Sequence, residues 1–389
     1  MIKTHIQSKS KEIHNEIISI REHLHQYPEL SFQEFETSKY VQSILTSWGI
    51  EFDVVCNTGI VGTISPSIKT TKCIALRADL DALPITEEND VAYCSKNEGI
   101  MHACGHDVHT SILLGALKII NEHKEDLKHT VKFIFQPGEE KLPGGASLLL
   151  KENVLENPKV DEIFALHVFP ELEAGKVGLK GGMYMASCDE IYMTIIGKGG
   201  HGAMPHQTID PILTSAHILT ALQQVVSRNC SPIIPSVLSF GKIEGLGATN
   251  VIPNEVKLEG TFRTMNEEWR EEAHHLIKKQ ATFIANGFGA KIEVNIVKGY
   301  PYLENNIELT AKTKAKLDYY FDAENVVDLP IRMTGEDFAF YAQKIPATFI
   351  RVGVKNEKKN IIYPVHNSKF DIDNLALRIG IETLLSIVY

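Results

Sequence analysis

The chain has 389 residues, 43% hydrophobic and 23% charged, enough to bury the cores of two or three domains. Its 39 Lys and Arg against 49 Asp and Glu leave a net charge of -10. That excludes the basic face of a nucleic-acid binder and attraction to an anionic membrane, but not small acidic substrates, because a local arginine or metal overrides the global field. The opening MIKTHIQSKSKEIHNE lacks an apolar signal-peptide core, and no run approaches the length that crosses a bilayer, so a cytoplasmic location is expected. Six scattered cysteines form no CxxC pair. Five of them (Cys56, Cys73, Cys94, Cys188, Cys230) read as small core residues of a reduced chain.

In chain order, Ile13, Ile17, Ile20 and Leu24 recur at helical spacing, and Pro28 ends that helix. Ser31 and Glu34 read as a capping box for a second helix. Its apolar face is Val41, Ile44, Leu45 and Trp48, with Gly49 past the end. Short apolar runs then alternate with helical patterns: CIALRAD (73–79), SILLGALKII (111–120), VKFIFQP (131–137) and EIFALHV (162–168). This alternation predicts an α/β domain around a mixed, mostly parallel sheet. The rhythm changes near residue 186. Strands at 191–197, 236–245, 255–264 and 291–297 alternate with helices at 210–228 and 267–289, the former capped by Asp210 with Pro211 after it. The order β-α-β-β-α-β is that of a ferredoxin-like α+β unit. The expected division is therefore 1–185 with 296–389, and an inserted domain at 186–295.

Ligands in open α/β sheets bind beyond the carboxyl ends of the strands. Asp79 and Asp81 follow CIAL, Gln136 to Glu140 (QPGEE) follow VKFIF, and His167 ends EIFAL. Cys104 and His106 precede a helical run beginning near Thr110, and His366 lies in the late loop YPVHNS. Thiolate, imidazole and carboxylate are the usual donors to Zn or Mn. Of two adjacent glutamates, one can ligate while the other serves as general base. GKGGHG (197–202) matches G-x-G-x-x-G, but Ala203-Met204-Pro205 follows instead of a helix, which argues against a dinucleotide site.

The segments REHLHQYPELSFQEFET, RADLDALPITEE, MHACGHDVHT, FQPGEE, ALHV, GKGGHGAMPH, TNVIPNEVKLEGTFRT, TGEDFAFY and VHNSKFD, in that order, resemble the M20 family of metallopeptidases. They are most similar to its amidohydrolase branch of aminoacylases, hippurate hydrolases, auxin-conjugate hydrolases and N-acetyldiaminopimelate deacetylases. The resemblance spans nearly the whole chain. It implies two divalent ions, Mn or Zn, held by Cys104, His106, Glu140, His167 and His366. Cys104 would be shared, with Glu140 and His366 on one ion and His106 and His167 on the other. Glu139 would be the general base, and Asn250 and Arg263 would bind substrate, the arginine gripping a carboxylate. His201 would reach the active site of a dimer partner and stabilise the oxyanion. The inserted domain would act as lid and dimerisation module of a homodimer or dimer-based homo-oligomer. Glu336 and Asp337 of TGEDF would lie near the metals, while His102 and His109 read as structural.

One departure stands out. Many M20 peptidases carry H-x-D after this strand, whereas Asp79-Leu80-Asp81 stands here, and Cys104-Gly105-His106 takes the place of the missing histidine. Asp81 could orient a ligand. The expected activity is hydrolysis of N-acyl, especially N-acetyl, amino acids. The alternatives are N-acetyldiaminopimelate deacetylation or short-peptide metallocarboxypeptidase activity. Two readings come from other classes: a cysteine hydrolase with Cys104 as nucleophile and His106 or His109 as base, and a non-catalytic metal-dependent binding protein.

Overall fold

A computed structural model describes residues 3–68 and 70–389. The chain divides into two compact units, Met1–Met183 with Glu304–Ile331 and Asp337–Tyr389, and Tyr184–Leu303 with Arg332–Glu336. The larger unit is built on eight strands: β1 (Phe52–Val55), β2 (Gly59–Ile64), β3 (Cys73–Asp79), β4 (Thr130–Gln136), β5 (Glu162–Glu173), β6 (Val177–Leu179), β7 (Val326–Asp328) and β8 (Ala347–Lys355). Their order across the sheet is β1-β2-β4-β3-β5-β8-β6-β7. The pairs β3–β4, β3–β5, β5–β8 and β6–β7 are parallel, and β1–β2, β2–β4 and β6–β8 antiparallel. The mixed, mostly parallel α/β sheet read from the sequence is the one observed. Every residue of β3 and β4 is buried, as expected of strands covered on both faces.

The first helices are α1 (Lys3–Glu12), α2 (His14–Gln26), α3 (Phe35–Ser47) and α4 (His106–Glu122). α4 packs against α2 and the carboxyl-terminal helix Leu375–Val388. The stripe Ile13, Ile17, Ile20 and Leu24 is buried throughout. α1 has no such stripe, burying only Ile6 and Ser10, and periodicity does not reveal it. α3 corrects the capping-box reading. Neither the Ser31 nor the Glu34 side chain bonds its first turn; the Glu29 carboxylate accepts from the N–H groups of Glu36 (3.2 Å) and Thr37 (2.8 Å) instead. Phe32, at φ +65, turns the chain before the helix and removes Ser31 from the capping position. The cysteine reading also needs correction: Cys73 and Cys104 are buried, but Cys56, Cys94, Cys188 and Cys230 are only half-buried.

The smaller unit holds a four-stranded antiparallel sheet, ordered Ser236–Glu244, Glu255–Thr264, Asp189–Ile196, Lys291–Lys298. With helices Pro211–Gln224 and Glu267–Gly287, this is the ferredoxin-like arrangement. Ile191, Met193, Ile195, Val256 and Leu258 alternate along their strands into a core closed by Ile218, Leu222, Ala273 and Ile277 of the helices. Asp189 anchors it, taking bonds from Arg270, His274 (2.7 Å) and the Gly299 N–H (3.0 Å). Among the described residues no helix is long and apolar enough to cross a membrane.

Candidate metal centre

The larger unit gathers its candidate residues beyond the carboxyl ends of the central strands. Asp79 closes β3, Gln136 closes β4 and His167 lies within β5. Gly105, at φ +83, turns the chain into α4, so the helix starts at His106 rather than near Thr110. A Cβ on Gly105 would lie 2.6 Å from Val168 Cγ2, so only glycine lets Cys104 and His106 sit this close to β5. His366, itself at φ +63, donates its N–H to Ala103 O (2.8 Å), which seats the late loop beside Cys104.

Five side chains converge as two triads. Donor atoms of Cys104, His106 and His167 lie within 4.8 Å of one another, and so do those of Cys104, Glu140 and His366. Cys104 belongs to both. Its Sγ lies 3.5 Å from His167 Nε2, and His366 Nε2 lies 3.2 Å from Glu140 Oε1. His106 Nε2 stands 3.9 Å from both Glu139 Oε2 and Glu140 Oε1.

The imidazoles are aimed by bonds on their other nitrogens. His106 Nδ1–H donates to Asp81 Oδ1 (3.1 Å), and His167 Nδ1–H donates to Val168 O (2.7 Å), leaving each Nε2 lone pair for the cluster. Asp81 also accepts from the backbone N–H of Glu139 (3.0 Å) and Glu140 (2.9 Å) and from the Ser31 hydroxyl (2.7 Å). One carboxylate thus sets a ring and two neighbouring glutamates. Asp79 takes bonds from Arg77 Nη1 (2.6 Å) and His109 Nδ1–H (2.6 Å), and His109 Nε2 accepts from Val168 N–H (2.9 Å). His109 therefore braces β3 against β5. Arg77 Nη2 also donates to Asp337 Oδ1 (2.7 Å), and the Asp337 N–H reaches Glu139 Oε1 at 3.4 Å. Arg77 was not singled out from the sequence, although a cation inside the apolar run CIALRAD marks a buried charge needing partners. Glu336, in the smaller unit, is buried, and so is His102, whose two ring nitrogens have no hydrogen-bond partner among the described residues.

The donor set fits divalent cations. His106 Nε2 is buried with no hydrogen-bond partner among the described residues, a costly arrangement unless something else takes up its lone pair. Burial disfavours a charged His106, yet Asp79, Asp81 and Glu140 outweigh it and push its pKa up to about 10. Burial and the same glutamate pair hold the Cys104 thiol well above its ordinary value. Burial, followed by Arg351, holds the His167 pKa well below its ordinary value. A pocket that protonates one imidazole and disfavours a thiolate carries surplus negative charge, the condition a cation relieves. The imidazole nearest the Cys104 sulfur is His167, at 3.5 Å, while His106 and His109 bond Asp81 and Asp79 through Nδ1.

In the smaller unit, His201 and Asn250 are neighbours. Gly200–His201 pairs with Val251–Ile252, and the Gly202 N–H donates to Asn250 O (2.8 Å). Both residues are exposed. His201 Nδ1 accepts from the Ala203 N–H (3.0 Å), which places the ring proton on Nε2. Arg263, half-buried on Glu255–Thr264, makes no ion pair among the described residues.

The α/β unit carries a buried cluster of thiol, imidazole and carboxylate donors of the kind that holds metal ions. Residues 75–389 match the profile of peptidase family M20/M25/M40, and the chain belongs to that family of metal-dependent hydrolases acting on amides. It is 41% identical over 301 residues to an N-acyl-L-amino acid amidohydrolase of Geobacillus stearothermophilus, covering 77% of this chain and 80% of that one. It is 38% identical over 371 residues to an N-acetyl-L-cysteine deacetylase of Bacillus subtilis (94% and 85% covered), and 37% over 379 residues to thermostable carboxypeptidase 1 of Saccharolobus solfataricus (96% and 95%). The crystal structure of the Bacillus subtilis YXEP protein, a dinuclear metal binding peptidase of the M20 family, superimposes with a TM-score of 0.82 at 33% identity, covering 97% and 98% of the two chains.

Proposed function

We propose that this protein hydrolyses the amide bond of N-acyl amino acids, N-acetyl ones above all, using two divalent ions (Mn or Zn). The observation that carries the reading is the pair of donor triads sharing Cys104, with Glu139 alongside. Cys104, His106 and His167 would hold one ion, and Cys104, Glu140 and His366 the other. When bound, the ions activate water and polarise the acyl carbonyl. Glu139 takes the proton from the attacking water and returns it to the departing amine. Its backbone is fixed through Asp81 and its carboxylate meets the Asp337 N–H, so the base is held in place before substrate arrives. His201 donates from Nε2 to the oxyanion, supplied by a second copy of the chain in a homodimer, and the smaller unit is lid and dimerisation module. Arg263 and Asn250 bind the amino-acid portion, the guanidinium taking its carboxylate. The enzyme works in the cytoplasm, needing neither membrane nor nucleic acid.

A hydrolysis screen of N-acetyl, N-benzoyl and diaminopimelate derivatives, run with Mn and with Zn, tests the substrate class. Turnover of N-acetyl amino acids that disappears on chelation is the expected result; activity that survives exhaustive EDTA and is abolished by iodoacetamide would return the chemistry to Cys104 as nucleophile. A second reading, cleavage of the carboxyl-terminal residue from short peptides, is favoured by the likeness to the Saccharolobus carboxypeptidase over nearly both chains. Free-amine dipeptides in the same screen separate the two.

A further inference from the structure

The pattern Ser31-x-x-Glu34 has the form of a helix cap, yet neither side chain caps α3. Both are buried, and both reach away from the helix. Ser31 Oγ–H donates to Asp81 Oδ2 (2.7 Å), on the loop after β3. Glu34 Oε1 accepts from the N–H of Gly138 (2.8 Å), on the loop after β4, and from the N–H of Phe32 (2.8 Å). Its Oε2 accepts from the Thr58 hydroxyl (2.8 Å), between β1 and β2. The backbone joins in: Ala82 N–H donates to Glu29 O (2.8 Å), and Leu30 and Ala82 form a bridge. The Phe32 ring lies where a Cβ on Gly138 would fall, 2.3 Å from Cε1, so the strap also packs on the left-handed glycine ahead of Glu139.

We propose that Glu34 is a positioning residue for the reaction: a buried acceptor that ties the strap 29–34 to the Gly138 N–H and so fixes the loop presenting Glu139 and Glu140. The proposal rests on the reading of Glu139 as general base. Three considerations support it. A buried carboxylate costs free energy that nothing in helix capping repays here, because Glu29 already caps α3. Two of the three bonds of Glu34 leave its own segment for other loops, one of them a residue away from Glu139. Burial, with Asp81 nearby, raises its pKa to about 7, so the side chain is held where a carboxyl is uncomfortable. Such strain is tolerated where geometry matters to function.

The role is geometric, so the acceptor oxygen and its reach matter and the charge does not. Glu34→Gln keeps an oxygen toward Gly138 and Phe32, and its amide can donate to the Thr58 hydroxyl. Glu34→Asp keeps the charge but falls a methylene short. Both fill most of the site. Metal-loaded enzymes are compared on N-acetyl-L-cysteine beside Glu139→Gln, with kcat, KM and bound metal measured for each. The expected result is an order-of-magnitude or greater loss of kcat in Glu34→Asp at little-changed KM, with Glu34→Gln keeping at least a third of wild-type kcat. Retention of kcat in Glu34→Asp with loss in Glu34→Gln would assign the effect to charge and overturn the proposal. So would equal retention, or equal loss, in both. Should Glu139→Gln itself keep full turnover, the general-base reading fails, an outcome distinct from failure of the strap.

Discussion

The two units hold their candidate site residues in opposite ways. In the larger, β3 and β4 are covered on both faces, and the polar side chains at their ends satisfy one another: Asp81 alone holds a ring, two backbone N–H groups and a hydroxyl. In the smaller, the strands alternate, His201 stands exposed on a two-residue ribbon, and Asn250 stands exposed just before its partner strand. The contrast separates groups held rigidly for chemistry from groups offered to something that arrives. A buried set is preorganised, and removing a member strands its partners. An exposed histidine is removable at almost no cost in stability. Variants in the two units should therefore fail differently.

The largest effect is expected from Glu139→Gln. Turnover should fall about 10³-fold or more with metal content unchanged, as read by steady-state kinetics and metal analysis on one preparation. His201→Ala should lower kcat about 10²-fold, the scale of one lost oxyanion donor, with an unaltered melting temperature. A substantial drop in melting temperature would blur the distinction between the units. Asp81→Asn removes the carboxylate that aims His106 and holds both glutamate N–H groups. Metal affinity should weaken roughly 10–100-fold in a chelator competition, more than activity measured at saturating metal. The smallest effect concerns pH and the smaller unit. Burial opposes charge on Asp189, but Arg270 and His274 outweigh it and depress its pKa to about 2. A depressed carboxylate stabilises the fold above its unfolded value, near 3.8, and loses that contribution as pH falls toward 2. The melting-temperature gap between wild type and Asp189→Asn should be full at neutral pH and narrow only below about pH 4.

Residue type and position carried much of the site. They offered a wider set of donors near strand ends, Asp79, Asp81, Glu139, Glu140, Cys104, His106, His167 and His366, which the family resemblance narrowed to five; donor atoms of Cys104, His106 and His167, and of Cys104, Glu140 and His366, lie within 4.8 Å of one another. What the chain hides is long-range partnership. Ser31-x-x-Glu34 satisfies a local rule, but a positive φ at Phe32 breaks the cap, and the true partners lie about 50 and 104 positions away. Arg77 reads as an anomaly in an apolar strand until Asp337, 260 positions on, is beside it. The bonding of His201 to the Asn250 strand likewise joins segments that no periodicity links. The start of α4 was displaced because Gly105 takes the left-handed turn that lets His106 open the helix.

The proposed two-ion site requires one buried sulfur, that of Cys104, to serve both ions. Titrating the metal-free enzyme with cobalt(II), while recording thiolate-to-metal charge-transfer absorption and bound metal, tests it directly. A shared Cys104 predicts absorption that grows over two equivalents per chain in wild type, is absent in Cys104→Ala, and accompanies weakened retention of both ions in that variant. Absorption that saturates after one equivalent, or a Cys104→Ala enzyme that holds two ions as tightly as wild type, would contradict it.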